Sequence, residues 1–240
     1  MPAPLIIAHR TCPLHAPENS IEGIKKAAEL GADGVEIDLR MSLDFQPFLL
    51  HDYSLHRTTG FWPPMELTPS FIARRLRLKG GNETVPSLGA ALDALPGNLI
   101  LAVDVKTPWA VIPLVRQIKR RRLQPRVLIW CTSAWAARYA RKRLPDVEVA
   151  YLKTAIDDAS RDRFLQLAHS SGVGAVSAHW RAIGPDFVSR AHALGLRVSS
   201  FHEAYDLDAG RLASGLDMLI TDHPVEARAA IAGASGARPP

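Results

Sequence analysis

Apolar, β-rich runs alternate with helical patterns along the whole chain, and no other feature constrains the fold as strongly. The runs are Leu5–His9, Val35–Met41, Leu99–Lys106, Val127–Cys131, Val147–Leu152, Ala175–His179, Arg197–Phe201 and Met218–Asp222. Each precedes a helical stretch, such as Ile21–Leu30 closed by Gly31, Leu88–Leu95 capped by Ser87 and stopped by Pro96-Gly97, and Trp109–Arg121. Strands that alternate with helices are parallel strands joined by crossovers. Eight such units in 240 residues are the content of a single α/β domain of the (β/α)8 TIM-barrel class. The alternative is a doubly wound open sheet, which more usually has five or six strands and a glycine-rich first turn. Here the first turn, after His9, has no glycine.

An excursion interrupts the pattern after the second strand. Phe48–His51 reads as a small hairpin strand, and Thr58–Gly81 is irregular and rich in Pro and Arg. Within it, Thr68-Pro69 has the form of a cap followed by a first-turn proline, which predicts one short helix. No linker divides the chain, so residues 1–232 are expected to form one catalytic barrel domain and Gly233 onward a frayed tail.

Hydrophobic residues make up 47% and charged residues 22%, the balance of an ordinary globular protein with a packed core. No stretch approaches the roughly 20 apolar residues that span a bilayer. The opening segment lacks a basic region before its short apolar run, so it reads as the first core strand and the protein as cytoplasmic. Cys12 and Cys131 are too few for a disulfide framework. The formal charge of +5 raises the question of an anionic partner, but the basic runs Lys119–Arg122 and Arg141–Arg143 fall before strands, on the rim opposite the strands' carboxyl ends. They read as a solvated face, with no nucleic-acid contact and no stable membrane insertion expected.

In a barrel the functional face lies at the carboxyl ends of the strands. Ionisable residues gather there: His9-Arg10, Glu36 and Asp38, Asp104 and Lys106, His179, His202-Glu203 and Asp222-His223. Glu36 and Asp38 are two apart on a strand, so their carboxylates share one face about 6.5–7 Å apart. Two like charges so placed need a cation, a shared proton or a strong donor between them, and a divalent metal is the common answer.

The ordered set His9-Arg10, Pro17-Glu18-Asn19-Ser20, Glu36-Ile37-Asp38, His51-Asp52 with Leu55 and Arg57-Thr58-Thr59, Pro86-Ser87-Leu88, Asp104/Lys106 and Leu216–Pro224 closely resembles the glycerophosphodiester phosphodiesterase family. The resemblance implies a barrel phosphodiesterase with one divalent cation, Mg²⁺ or Ca²⁺, that hydrolyses a small-molecule glycerophosphodiester to glycerol 3-phosphate and an alcohol. It implies Glu36, Asp38 and Asp104 as metal ligands, His9 and His51 as the acid/base pair, Arg10 and Lys106 as phosphate contacts, and Glu18 as support for substrate or metal; His179 and Phe201, at the ends of their strands, are further candidates for that support. Two other readings are a phospholipase of the same barrel type and a barrel that binds a phosphodiester without cleaving it; the second should have lost a histidine or a carboxylate, and none is lost.

The chain departs from the family pattern in four places. Thr11 stands where a glycine is usual, Phe45 follows Asp44 where a glycine is usual, Asp104 replaces a glutamate, and Phe201-His-Glu-Ala replaces Trp-Thr-Val-Asn. Other candidates are plainer. His15, His179, His202 and His223 lie near the active rim, whereas His56, His169 and His192 read as surface or core residues. Lys106 could form a Schiff base, but three nearby carboxylates would keep it charged. Trp130 and Trp180, near strand ends, are the candidates for an aromatic cage.

Overall fold

Every barrel strand is covered on both faces, so its residues sort into two apolar layers rather than one apolar and one wet. The computed structural model describes residues 3–153, 157–202, 207, 209–212 and 214–234. Its strands are β1 (Leu5–Ala8), β2 (Gly34–Met41), β3 (Pro47–Leu49), β4 (Ile100–Val105), β5 (Val127–Cys131), β6 (Glu148–Lys153), β7 (Ala175–His179), β8 (Arg197–His202) and β9 (Met218–Thr221). The order β1-β9-β8-β7-β6-β5-β4-β2-β3, with β1 also paired to β2, closes eight parallel strands into a barrel. The ninth, β3, runs antiparallel to the far end of β2, with Leu39 opposite Leu49.

The helices are α1 (Ile21–Glu29), α2 (His56–Thr59) and α3 (Ser70–Ala73) in the excursion, α4 (Leu88–Ala94), α5 (Val111–Arg121), α6 (Ala134–Arg143), α7 (Asp158–Ser170), α8 (Pro185–Ala193), α9 (Ala209–Leu212) and α10 (Pro224–Ala234). Between strands and helices lie Val35, Ile37, Leu39, Leu101, Val103 and their like, part of one large buried cluster. Inside the barrel lies a smaller cluster, Ile7, Ala102, Trp130, Ala150, Ala175 and Ile220. The period-2 alternation therefore sends Glu36 and Asp38 inwards while Val35, Ile37 and Leu39 face the helices.

Several expectations shift in detail. Thr68 does not cap the short helix of the excursion. Pro69 takes the cap position, and the Thr68 hydroxyl donates to the Pro64 carbonyl at 2.7 Å. The cap comes from the hairpin turn, where Asp44 accepts from the Ser70 N–H at 2.8 Å and from its hydroxyl at 2.6 Å. The hydrogen bond from the Ser70 hydroxyl is the main reason that the Asp44 carboxyl is held down at about 2. The helix foreseen from Trp109 opens as a 3-10 turn, Pro108–Ala110, before α5. At the other end α10 continues through Gly233 to Ala234, and the rest of the expected tail, 235–240, lies outside the described residues, as does Glu203. The basic runs sit in the last turns of α5 and α6, where cations suit the helix dipole, and Arg121 pairs with Asp93 of α4. Among the described residues no helix is long and apolar enough to cross a membrane.

The β1–α1 connection is the tightest part of the fold. Arg10, Thr11 and Cys12 have φ of 42°, 67° and 95°, three consecutive non-glycine residues in the left-handed region. That conformation costs on the order of 1–3 kcal/mol per residue, and the glycine that the family resemblance leads one to expect at position 11 would adopt it without that cost. Thr11 recovers part of the cost, for its hydroxyl accepts the Ser20 N–H at 3.1 Å at the start of α1, where Ser20 in turn caps Gly23 at 2.9 Å. Gly23 is what lets α1 approach this turn, because a Cβ there would lie 2.4 Å from Thr11 Oγ1 and 2.5 Å from its carbonyl oxygen. Gly23→Ala gains up to about 1 kcal/mol in helix propensity, but it forces backbone apart in a closed turn, at about 1–3 kcal/mol or more. Urea unfolding should therefore show a net loss of stability, and an unchanged midpoint would contradict the packing described here.

Candidate active site

Strand register builds the centre of the site. Asp38 of β2 and Asp104 of β4 are partners across the parallel pair, and Glu36 lies two residues earlier on β2. One oxygen from each of the three carboxylates lies within 4.8 Å of the others, and all three residues are buried, at 3%, 1% and 4% exposure. Like charges opposite one another destabilise a sheet, so the surroundings must compensate. The Arg10 N–H donates to Glu36 at 2.8 Å. Asn19 clasps Asp38, its amide N–H donating to Oδ2 at 2.8 Å while its Oδ1 accepts the Asp38 N–H at 3.0 Å. The Lys106 ammonium bridges Asp104 at 2.6 Å and Asp38 at 3.1 Å.

This compensation is uneven. Burial, then the charges of Asp38 and Asp104, raise the Glu36 carboxyl to about 8 against the pull of His9 and Lys106. Burial also opposes the charge on Asp38, but Lys106, His51, Arg10 and the Asn19 hydrogen bond outweigh it and lower its pKa. Asp104 is raised by burial and by Asp38 despite Lys106. Lys106 is itself raised: burial opposes its charge, and Asp38 and Asp104 overcome it. Its amine is thus held as ammonium, the opposite of what a Schiff-base lysine needs.

The three carboxylates fit a hard divalent cation. Their oxygens converge, and Asp104 Oδ1 is buried without a hydrogen-bond partner among the described residues, as a ligand oxygen awaiting a cation would be. The rise in Glu36, which burial causes first and the charges of Asp38 and Asp104 increase, is what a buried cluster of carboxylates without a cation shows.

Two imidazoles flank the triad, each held through Nδ1 by a carboxylate. His9 Nδ1 lies 2.7 Å from Asp222 Oδ1, a contact that exists because barrel closure sets β1 beside β9. His51 Nδ1 lies 2.8 Å from its neighbour Asp52. In both rings Nε2 has no hydrogen-bond partner among the described residues, the arrangement of an oriented acid or base. Asp52 is in turn gripped by Arg57 at 2.5 Å and 3.1 Å, and Arg57 also holds Glu18 through two bonds of 2.5 Å and 2.7 Å. Arg57, then burial working the other way, then His51 leave the Asp52 carboxyl at about 2.

His9, Arg10, Glu36, Asp38, His51, Asp104 and Lys106 all line one cavity of about 190 Å³, and Phe201 lines it with them. Glu18 and His179 do not. Glu18 lies in a separate groove with His15, Arg57 and Lys79, while His179 meets Phe201 edge-on at 5.1 Å and accepts the Arg181 N–H. No Trp130/Trp180 cage forms, for Trp180 is buried against His202, their rings stacked at 5.1 Å, and only Trp130 lines the cavity. His56 stacks on Trp62, His169 bonds the Leu194 carbonyl, and His192 pairs with Asp217. Both thiols are buried, and burial pushes the Cys12 pKa up to about 11. Two residues were not given their parts by sequence reasoning. Asn19 and Asp222 both lay inside quoted motifs, but nothing local says that one amide clasps Asp38 or that the chain's far end orients His9.

A barrel whose strand ends present a buried carboxylate triad between two carboxylate-held histidines is the frame of a hydrolase for anionic esters. The chain belongs to the glycerophosphoryl diester phosphodiesterase family, whose family model matches residues 9–226. It is 28% identical over 160 residues to a glycerophosphodiester phosphodiesterase of Caldanaerobacter subterraneus, a match that takes in 62% of this chain and 66% of that protein. It spans only 33% of the cattle glycerophosphodiester phosphodiesterase 1, to which it is 40% identical over 109 residues. Among solved structures, it is similar to an Oleispira antarctica phosphodiesterase bound to the product sn-glycerol 3-phosphate, with 25% identity, a TM-score of 0.85 and coverage of 95% and 97% of the two chains. It shares its fold with a Silicibacter pomeroyi protein, with 22% identity, a TM-score of 0.85 and coverage of 98% and 95%.

The His9–Asp222 pair yields a pH test. Burial lowers the His9 pKa, but the Asp222 hydrogen bond and the Glu36 charge outweigh it and leave the pKa above the ordinary 6.5. A raised folded-state pKa contributes stability that is fully present below about 6.5 and is lost as pH rises through the folded value. Asp222→Asn should lower the His9 pKa in an NMR titration of the ring, and its stability deficit should shrink on the alkaline side of that window. An unmoved titration would refute the orienting role of Asp222.

Proposed function

We propose that the protein hydrolyses glycerophosphodiesters to glycerol 3-phosphate and an alcohol, with His9 and His51 as general acid and base and Glu36, Asp38 and Asp104 as ligands of one divalent cation, Mg²⁺ or Ca²⁺. The observation that carries this reading is the single cavity in which a converging carboxylate triad, two oriented imidazoles and the cations Arg10 and Lys106 face one another. When bound, the cation would supply positive charge for the phosphate's non-bridging oxygens, which otherwise repel an attacking oxygen. Arg10 and Lys106 add charge at the same place, a stabilisation that grows as charge accumulates in the transition state.

The histidines divide the proton transfers. The Asp222 hydrogen bond favours protonated His9, which suits it to deliver a proton to the leaving alcohol oxygen as its bond to phosphorus breaks. His51, held by Asp52, then takes the proton of the attacking oxygen as the new phosphorus–oxygen bond forms. That oxygen belongs to water or to the substrate's own glycerol hydroxyl; in the second case a cyclic phosphate forms first and water opens it. Glu18 acts through Arg57, which it positions on Asp52, and Phe201 forms part of the wall against which substrate packs. The Oleispira antarctica structure with its bound product supports the same product class here.

Cleavage of glycerophosphoethanolamine or glycerophosphocholine, followed by release of glycerol 3-phosphate, should be abolished by EDTA and restored by Mg²⁺ or Ca²⁺. His9→Ala and His51→Ala should each lower kcat by about 10²–10⁴-fold with circular dichroism unchanged. Turnover that survives chelation would remove the cation from the reading, and near-wild-type rates in either variant would remove that histidine.

A further inference from the structure

Outside the cavity, the tip of the β2–β3 hairpin carries a residue that the packing of the chain does not explain. Phe45 has a φ of 59° and is 73% exposed. Glycine takes that left-handed conformation freely, and any other residue takes it at a cost. A phenyl ring that stands mostly in water recovers little of that cost by burial, so the folded chain by itself gains little from a phenylalanine here.

Phe45 has company. The Leu43 N–H donates to the Thr68 carbonyl at 3.0 Å, and Asp44 caps α3 through Ser70, so the hairpin tip and residues 67–71 are held as one surface. Leu43, Leu67 and Phe71 of that surface are 51%, 62% and 59% exposed. Exposed apolar residues grouped in this way mark a contact with a protein or a membrane.

Charge selects between the two. Arg74, Arg75 and Arg77 follow α3 directly and are exposed, and among the described residues none of them is in an ion pair. The carboxylates of residues 42–83 are engaged elsewhere: Asp44 with Ser70, Asp52 with Arg57, Glu66 with Arg40 and Thr107, and Glu83 with the N–H groups of Ile21 and Glu22. The patch is therefore apolar and cationic. A twofold contact between two copies would set its arginines against their own images, where like charges repel. An anionic lipid surface satisfies both halves at once, for apolar side chains enter the boundary of headgroups and acyl chains while guanidinium groups pair with lipid phosphates. The same excursion exposes Tyr53 and Trp62, ring types that favour that boundary.

We infer that the hairpin tip and α3 dock the protein reversibly on an anionic phospholipid surface, with Leu43, Phe45, Leu67 and Phe71 in the headgroup boundary and Arg74, Arg75 and Arg77 on lipid phosphates. The hairpin continues β2 past its carboxyl end, the end of the barrel that bears His9, Asp104 and Lys106, so docking turns that end toward the lipid. The inference stands apart from the phosphodiesterase reading, because its test measures binding and no turnover.

The experiment is co-sedimentation of the full chain with vesicles of equal parts phosphatidylglycerol and phosphatidylcholine, and with vesicles of phosphatidylcholine alone. Wild type should bind the mixed vesicles, and lose most of that binding at high salt or without phosphatidylglycerol. Phe45→Gly should weaken binding about tenfold without lowering the thermal midpoint, because glycine suits the turn. Arg75→Gln and Arg77→Gln should each weaken it about fivefold, the equivalent of one basic residue at an anionic surface. Wild type that stays in the supernatant with the mixed vesicles would overturn the inference, as would binding that Phe45→Gly leaves unchanged. A lower thermal midpoint in Phe45→Gly would give the ring a packing role instead, and a dimer in sedimentation velocity that this variant dissolves would give the patch to a second copy; either result counts against docking on lipid.

Discussion

Asp38 and Asp104 are register partners on adjacent strands, so barrel closure presses two carboxylates together where little water reaches, and Glu36 brings a third. At about 5 Å and an effective dielectric near 20, each like-charged pair costs on the order of 3 kcal/mol. That repulsion organises the surrounding structure. The Asn19 amide, the Arg10 backbone N–H and the Lys106 ammonium all converge on the triad. They leave one oxygen of Asp104 unpartnered among the described residues, and the three converging carboxylates could hold a metal ion.

The strained β1–α1 turn follows from the same requirement. To aim its N–H at Glu36, Arg10 takes a left-handed conformation with φ of 42°, and Thr11 and Cys12 follow it. The turn also brings Asn19 to Asp38, since the Asn19 N–H donates to the Arg10 carbonyl at 2.8 Å. Strain in this segment is thus coupled to the placement of donors on the triad, and the close approach of Gly23 holds α1 against it. The excursion after β2 does comparable work for the second histidine: Arg57 ties Asp52 to Glu18, and Asp44 ties the hairpin turn to α3, so His51 stands on a braced segment rather than on a loose loop.

Legibility in the sequence followed the range of the interactions. Strand and helix succession, Gly31 and Ser87 at helix ends, and the inward face of Glu36 and Asp38 depend on neighbours a few residues away, and all could be read directly. The Thr68 cap was misplaced because its rival, Asp44, reaches Ser70 from 26 residues away. Glu18 and His179 do not line the cavity but touch residues that do: Glu18, held by Arg57, lies 3.8 Å from the Arg10 guanidinium, and His179 meets Phe201 edge-on, contacts that join segments far apart in the chain.

The chain's own pattern was enough to specify a closed eight-strand barrel with ionisable groups at its strand ends, because side-chain period and turn chemistry are local properties. Only the folded barrel decided which groups meet. His9 finds Asp222 across 213 residues because closure makes the first and last strands neighbours. Trp130 and Ser177 face the triad across one cavity because inward positions from every strand converge on the same axis, and no window of sequence contains that geometry.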